Sequence, residues 1–312
     1  MKLSVIVPTH DTRELTLSCL AALRQAGGGG VELVVVDDGG SDGTDAAVRE
    51  VEPQARVLHW DQAVGFTVAV NRGAELTGGD LLLFLNSDTA LDPGALDRLA
   101  AAFAANPRLG VAGAALRYPD GRRQWSGGRA PGLLWFFLLG SGFAELISPL
   151  RPRRDAGPAP SVDWVSGAAL AVRAVTWREL GPFDPRLRFY AQDLDLCLRA
   201  AAAGWEVRLL AEFGVVHHHG ASVSRQPGAA VVRHPEWLFR DLLRWAEKAH
   251  DEIWRRRAAW CLGVGTTLRL AARALRRPFQ AATNRPAYDQ TTAAWSEARR
   301  AVRPFRAAGP AG

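Results

Sequence analysis

Apolar runs and amphipathic stretches alternate through the first third of the chain. Lys2–Pro8 (KLSVIVP) is a short β-branched run of the kind expected for a parallel strand buried on both faces. Asp11 with Glu14 three residues later resembles a capping box. Leu17, Leu20 and Leu23 then recur at helical spacing before the Gly27–Gly30 break. Val31–Asp38 (VELVVVDD) reads as a second strand and leads into the turn-rich GGSDGT and another helix. Arg56–Trp60 is a weaker third strand, a helix is predicted from about Thr67 to Leu76, and DLLLFLNSD (Asp80–Asp88) is the strongest strand of all. This β-α-β-α-β order predicts an α/β fold: an open, mostly parallel sheet with helices on both faces.

Ligands of such sheets lie beyond the carboxyl ends of the strands. Three polar clusters fall at predicted strand ends: Thr9–Asp11, Asp37–Asp38 and Asn86–Asp88. One aspartate at a strand end is usually a cap, but three clusters on one edge exceed what capping requires. After the first strand the chain reads PTHDTRE, neither the glycine fingerprint of dinucleotide oxidoreductases nor a P-loop, and both classes are set aside. What remains is acid-rich. Asp38 is placed to accept from a base or ribose, and Asp88 to hold a divalent cation against a diphosphate. Carboxylate oxygens suit Mg²⁺ or Mn²⁺, and imidazole is compatible with Mn²⁺.

Further on, Asp193 and Asp195 open a helix-like segment, and His217–His219 end an apolar run. The unpaired N–H groups and dipole of a helix start favour an ionised, outward-aimed aspartate, as a general base or metal ligand requires. Taken alone, such an aspartate is more often an N-cap.

Seven segments in order make the chain resemble the inverting family 2 glycosyltransferases with a GT-A fold, and among them the bacterial rhamnosyltransferase-like members. They are VIVPTHD, VVVDDGGSDGT, QAVGFTVAVNRG, LLLFLNSDTALDPGAL, VSGAALAVR, GPFDPRLRFYAQDLDLCLRAAAAGW and VVHHHGAS. The resemblance covers roughly residues 1–225. It implies a metal-dependent, inverting transfer of a sugar, leaning towards rhamnose from its dTDP form, in cell-surface polysaccharide synthesis. The acceptor would be a glycan, or one carried on a polyprenyl diphosphate. By the same resemblance Pro8, Thr9, Asp37, Asp38, Gly65, Phe66, Asn71 and Asn86 line the donor pocket. Asp88 and His217 hold Mg²⁺ or Mn²⁺, with His218 and His219 as neighbours, although which imidazole faces inward is not legible. Asp193 is the base that deprotonates the acceptor hydroxyl. Gly167, Gln192 and Asp195 belong to acceptor binding or support, with pairing to Arg199 the plainer role for Asp195. Two positions depart from the family pattern. Gln192 replaces a glutamate, which would either lower the basicity of Asp193 or remove an acceptor contact and alter substrate choice, and Gly40 replaces a commoner serine. A catalytically weak scaffold that merely binds lipid-linked glycan is the alternative reading.

With 312 residues, nearly half of them apolar, the chain has room for a full core plus an appendage. Its three scattered cysteines form no C-x-x-C, and the first strand starts too early for a signal peptide to precede it. Both points predict a cytoplasmic protein. The net charge of +6 is unevenly spread: from Arg233 onward 16 Lys and Arg face 7 Asp and Glu, leaving −3 for the rest. That contrast gives the expected division: 1–230 as the glycosyltransferase domain and 231–312 as a basic, tryptophan-containing helical extension. Trp237, Phe239, Trp245, Trp254 and Trp260 lie among the arginines of this extension, which suits a peripheral contact with the inner face of the plasma membrane. The competing reading is a helical lid that packs its tryptophans inward. Nucleic acid is not expected as a partner, and the sequence leaves the oligomeric state open. Pro131–Leu150 is apolar but broken by Gly, Ser and Glu. It reads either as a surface-seeking helix beside the acceptor or as a helix buried under the tail.

Overall fold

A computed structural model describes residues 1–27, 30–143, 161–218 and 234–306. In chain order the first elements are β1 (Leu3–Thr9), α1 (Arg13–Gln25), β2 (Glu32–Asp37), α2 (Thr44–Val51), β3 (Arg56–His59), α3 (Phe66–Glu75) and β4 (Leu81–Leu85). There follow β5 (Thr89–Leu91), α4 (Ala95–Ala105), β6 (Leu109–Arg117), β7 (Gly127–Gly128), α5 (Leu133–Ser141), β8 (Trp164–Val165), β9 (Ala169–Arg173) and α6 (Ala174–Leu180). The last are α7 (Gln192–Ala202), β10 (Glu206–His217), α8 (Pro235–Ala249), α9 (Glu252–Arg276) and α10 (Arg285–Ala301). The chain divides into two compact units. One comprises Met1–Arg129, Arg151–Pro185 and Gln192–Ala230; the other comprises Ala130–Leu150, Arg186–Ala191 and Val231–Gly312.

The first unit is built on an eight-stranded sheet in the order β3-β2-β1-β4-β9-β6-β10-β5. β1, β2, β3 and β4 run parallel, as do β6 and β10; β9 is antiparallel to both its neighbours and β5 is an antiparallel edge. The period-two pleat sends successive side chains to opposite faces, which is why a parallel strand must be apolar throughout. Val5, Val7, Val35, Leu81, Leu83 and Leu85 enter one core with Cys19 and Leu20 of α1 and Leu96, Leu99 and Phe103 of α4. Ile6, Val34, Val36, Leu82 and Phe84 enter the other with Ala69 and Val70 of α3 and Leu196 and Cys197 of α7. The sheet is therefore covered on both faces, and the predicted GT-A-type α/β architecture is present. Desolvation pushes the buried thiol of Cys19 up to about 12 and raises that of Cys197 as well, so they are packing groups rather than nucleophiles.

In the second unit, α5 packs against α9 at backbone distance. A Cβ on Gly140 would lie 2.6 Å from the Leu262 carbonyl oxygen, and one on Gly265 would lie 2.4 Å from that of Phe137. Thus the α5 part of Pro131–Leu150 is a helix packed with the C-terminal helices, while residues 144–160 lie outside the described residues. Phe239, Trp245 and Trp295 are buried here, and Arg269 stacks 3.8 Å over the Trp295 ring. The tail aromatics divide between core and surface. Phe239 and Trp245 form a core, Trp254 is half-buried, and only Trp237 and Trp260 of those five aromatics stand exposed. No helix among the described residues is long and apolar enough to cross a membrane.

Candidate active site

Parallel pairing brings the ends of β2, β1 and β4 to one edge, and main-chain bonds lock them there. Thr9 pairs in register with Asp37, Asp38 N donates to Thr9 O at 2.9 Å, and the Thr12 and Ser87 hydroxyls meet at 3.2 Å. Asp38 takes the Val64 N–H on Oδ1 at 2.6 Å and the Gly65 N–H on Oδ2 at 3.0 Å. It shapes the loop that leads into α3 at Phe66. His10 Nδ1 lies 2.7 Å from the Asp38 carbonyl oxygen, which closes the same corner from β1.

Asp37 is buried, and its Oδ2 lies 2.9 Å from His59 Nδ1. Burial pushes its carboxyl above the ordinary range, with the His59 bond partly offsetting this. A Cβ on Gly40 would come within 2.3 Å of Asp37 Oδ1, so the glycine at this position makes room for that carboxylate. Asp37, His59 and Asp45 bring one possible ligand atom each to within 4.8 Å of one another. The expected ligands Asp88 and His217 are not part of that group.

Asp88 and His217 do come together. His217 closes β10 opposite Thr89, and its Nε2 stands 3.3 Å from Asp88 Oδ1, with both side chains nearly fully buried. Gln124 grips the histidine at both ends. Its amide N–H donates to the His217 carbonyl at 2.5 Å, and its Oε1 lies 2.9 Å from Nδ1. A proton on Nδ1 satisfies that contact and leaves the Nε2 lone pair facing Asp88. A partner on the far nitrogen is how proteins fix the tautomer of a ligating histidine. One buried carboxylate oxygen beside one imidazole nitrogen is a donor set suited to Mn²⁺ or Mg²⁺. His218 is exposed, with its N–H on the Asp88 carbonyl at 2.9 Å, and His219 lies outside the described residues. Gln124 escaped the sequence reading because it sits in a loop without periodic signal, 93 residues from His217.

Asp193 lies in the first turn of α7. Asn86 N donates to Ala168 O at 2.9 Å, and the next residue back, Gly167, donates its N–H to Asp193 Oδ2 at 2.8 Å. The Leu194 N–H reaches Oδ1 at 2.8 Å. The Asp193 side chain is itself half-buried. Desolvation is the largest influence and raises the Asp193 carboxyl above its usual value, and the two N–H donors offset this in part. Burial thus supplies the basicity that Gln192, itself buried, does not. Asp195 faces elsewhere: its Oδ2 takes Arg199 Nε at 2.8 Å, and Arg199 goes on to the carbonyls of Leu180 and Pro182. That is a structural clamp one helical turn long.

The remaining expected donor residues are mainly structural in their visible contacts. Pro8 lies within β1, and the Thr9 hydroxyl meets those of Thr12 and Thr16, each at 2.8 Å. Asn71 brackets Phe183, donating to its carbonyl at 2.8 Å and accepting its N–H at 3.1 Å.

Comparison with known proteins identifies the family and the fold. Residues 4–160 match the family described as Glycosyl transferase family 2. Over 288 residues the chain is 30% identical to an N-acetylglucosaminyl-diphospho-decaprenol L-rhamnosyltransferase of Mycobacterium tuberculosis, covering 86% of this chain and 91% of that one. It is 31% identical to the O-antigen biosynthesis protein RfbC of Myxococcus xanthus over 71% of this chain, though only 18% of that larger protein. Among solved structures, the Pyrobaculum calidifontis mannosyltransferase PcManGT with GDP-Man and Mn²⁺ superposes with a TM-score of 0.59 at 16% identity, covering 98% of this chain and 86% of that one. S. aureus TarS 1-349 with UDP gives 0.55 at 16% identity, covering 98% and 91%. At such identities these two structures establish the fold alone.

Proposed function

The chain belongs to glycosyl transferase family 2, and on that premise we propose that it moves rhamnose from a nucleoside-diphosphate donor to N-acetylglucosamine carried on a polyprenyl diphosphate. The observation that carries the finer reading is the likeness to the mycobacterial rhamnosyltransferase along nearly the whole of both chains. The strand-end site is chemically suited to it.

In this reading Asp193 accepts the proton of the acceptor hydroxyl while that oxygen attacks the anomeric carbon from the face opposite the diphosphate. The bond between the anomeric carbon and the diphosphate oxygen breaks, its electron pair leaves with the nucleoside diphosphate, and the configuration inverts. General-base assistance of this kind is worth about 10²–10⁴ in rate. Gly167 and Leu194 hold the carboxylate for that task. Asp88 and His217 would hold a divalent cation, which when bound neutralises charge on the departing diphosphate. Gln124 keeps Nε2 of His217 turned towards Asp88. Asp38 and the loop it organises at Val64 and Gly65 would receive the nucleoside.

The test is a donor panel of dTDP-rhamnose, other dTDP-hexoses and UDP-hexoses. Each is incubated with a short-chain polyprenyl-diphosphate N-acetylglucosamine and Mg²⁺ or Mn²⁺, and products are read by mass spectrometry. Selective addition of a deoxyhexose is expected. Efficient use of a different sugar would overturn the rhamnose assignment, and absence of transfer from every donor would overturn the acceptor.

A further inference from the structure

Helix α9 presents a face that the helical unit does not bury. Ile253 is 62% exposed, Trp260 58%, Leu268 48% and Leu275 75%. At about 100° per residue these four side chains fall within roughly a quarter-turn of one another. The opposite side of the helix carries the buried Ala258, Ala259, Leu262, Gly263 and Thr266. Phe279, 87% exposed, lies three residues beyond the helix end.

Charge says what this face would meet. From Ile253 to Tyr288 the sequence holds no aspartate or glutamate and eight arginines, of which Arg256 and Arg257 are exposed beside this face, while Arg255 is buried and Arg269, Arg273 and Arg277 bond to Gly140, Tyr288 and Asp289. The flanking acids are Glu252, Asp289 and Asp251, the last occupied in capping the Trp254 N–H at 2.7 Å. Arg256, Arg257 and Arg306 line a shallow groove of about 300 Å³ with Ile253 and Trp260. Arg256 Nε donates to the Arg306 carbonyl at 3.1 Å, so the groove's two walls are joined. Tryptophan and aliphatic side chains on one helical face, arginines beside them and no acid among them form the pattern of a helix lying in a lipid headgroup layer. A protein partner of ordinary composition would not require so long an acid-free stretch.

We propose that this face of α9 lies on an anionic phospholipid surface. Ile253, Trp260, Leu268 and Leu275 reach the acyl boundary, and Arg256, Arg257 and Arg306 meet lipid phosphates. The proposal rests on the polyprenyl-linked acceptor reading for its purpose and gives that acceptor a place, but vesicle binding is measurable without donor or acceptor.

The experiment uses the full chain with vesicles of phosphatidylcholine alone or mixed with phosphatidylglycerol, read by co-sedimentation. Binding is expected to the mixed vesicles, to weaken as salt rises, and to be negligible on phosphatidylcholine. Two double variants, Trp260→Ser with Leu268→Ser and Arg256→Gln with Arg257→Gln, should each reduce binding by about tenfold or more. Their melting should stay near that of the parent, because all four side chains are already exposed. Transfer to a short soluble acceptor, measured on the same preparations, should be unchanged. Equal binding to both vesicle types, or undiminished binding by both variants, would overturn the proposal. So would a parent chain that is dimeric in light scattering and made monomeric by either variant, since the face would then be covered by a second copy. Loss of soluble transfer in the parent would instead refute the enzymatic reading and leave the vesicle result standing.

Discussion

The Gly167 N–H meets Asp193 Oδ2 at 2.8 Å, tying the loop before β9 to the first turn of α7 at the carboxylate itself. Gly167 lies one residue before Ala168, whose carbonyl takes the Asn86 N–H at the end of β4. The proposed base and the Asn86–Asp88 segment therefore share one short, rigid path through the backbone. A Cβ on Gly167 would sit 3.4 Å from Asp193 Oδ2, at ordinary van der Waals contact with the carboxylate.

From this follows a contrast between neighbouring acids. Asp193→Asn should keep shape and donor binding yet lower turnover at least about a hundredfold, because it removes the proton acceptor. Asp195→Asn should spare turnover in the folded fraction and lower stability by about 1–3 kcal/mol, since it breaks a buried pair with Arg199. Steady-state kinetics and thermal melting on both variants check this. A dead Asp195→Asn beside an active Asp193→Asn would reverse the assignment.

The pH profile carries a second prediction. Asp193 is a carboxylate raised above its ordinary value of 3.8 by burial. It is protonated and unable to accept below its folded pKa, so activity should be lost as pH falls through that point. The acid limb of the rate profile should thus lie above the usual aspartate range rather than within it. An acid limb below 3.8 would mean that the N–H donors outweigh desolvation at this carboxylate.

A third prediction concerns the cation. EDTA should abolish transfer, and Asp88→Ala should weaken both Mn²⁺ and donor binding. His217→Ala should cost more activity than His218→Ala, because the first side chain is buried against Asp88 and the second is exposed. Gln124→Ala, which touches neither Asp88 nor the base in any contact described above, should weaken Mn²⁺ binding by about 10–100-fold through the His217 ring. Titration calorimetry with Mn²⁺ alone separates that effect from turnover. Full activity in chelator would remove the metal role from both ligands.

Much of this arrangement is legible in the sequence, and the limits have physical reasons. The runs ending at Thr9, Asp37 and Leu85 are buried on both faces, so continuous apolar stretches identify the parallel strands and place their polar ends on one edge. Which of three consecutive histidines turns inward is a matter of β10 register against β5, where His217 opposes Thr89, and no local pattern encodes that. Gln124 acts across the chain from an aperiodic loop. The helical period shows that the tail helices are amphipathic, but not which helix covers which face. Hence Trp245 proves a core residue, while Trp260 is exposed. For Asp193, a helix start argues for an ionised group and burial against it, and only the packing of α7 shows that burial dominates.

The last prediction concerns how the helical unit is held. Asp241 of α8 is buried, and its Oδ2 accepts the N–H groups of both Phe189 and Tyr190, at 3.0 and 2.9 Å. Arg244, one turn later, donates to the Arg186 carbonyl at 3.0 Å. The segment Arg186–Ala191 therefore folds with helices that follow it by some fifty residues, and it ends at Ala191 in the left-handed region, φ +63°, immediately before Gln192. Asp241→Ala would leave two part-buried N–H groups without this acceptor, at a cost of about 1–3 kcal/mol in all. Asp241→Asn retains an oxygen in the same place and should cost less than Asp241→Ala. Removing Arg233–Gly312 outright should be far more damaging than either. It strips α5 of the α9 backbone against which Gly140 packs, and it leaves Phe136 without Trp254, its ring partner at 5.6 Å. The deletion should therefore aggregate or melt at much lower temperature rather than yield a catalytic domain free of its tail. Thermal unfolding of the three proteins in parallel decides the matter: the expected order of stability is Asp241→Asn above Asp241→Ala above the deletion. A deletion that melts like the full chain would show that the α5 and Arg186–Ala191 segments do not depend on the C-terminal helices.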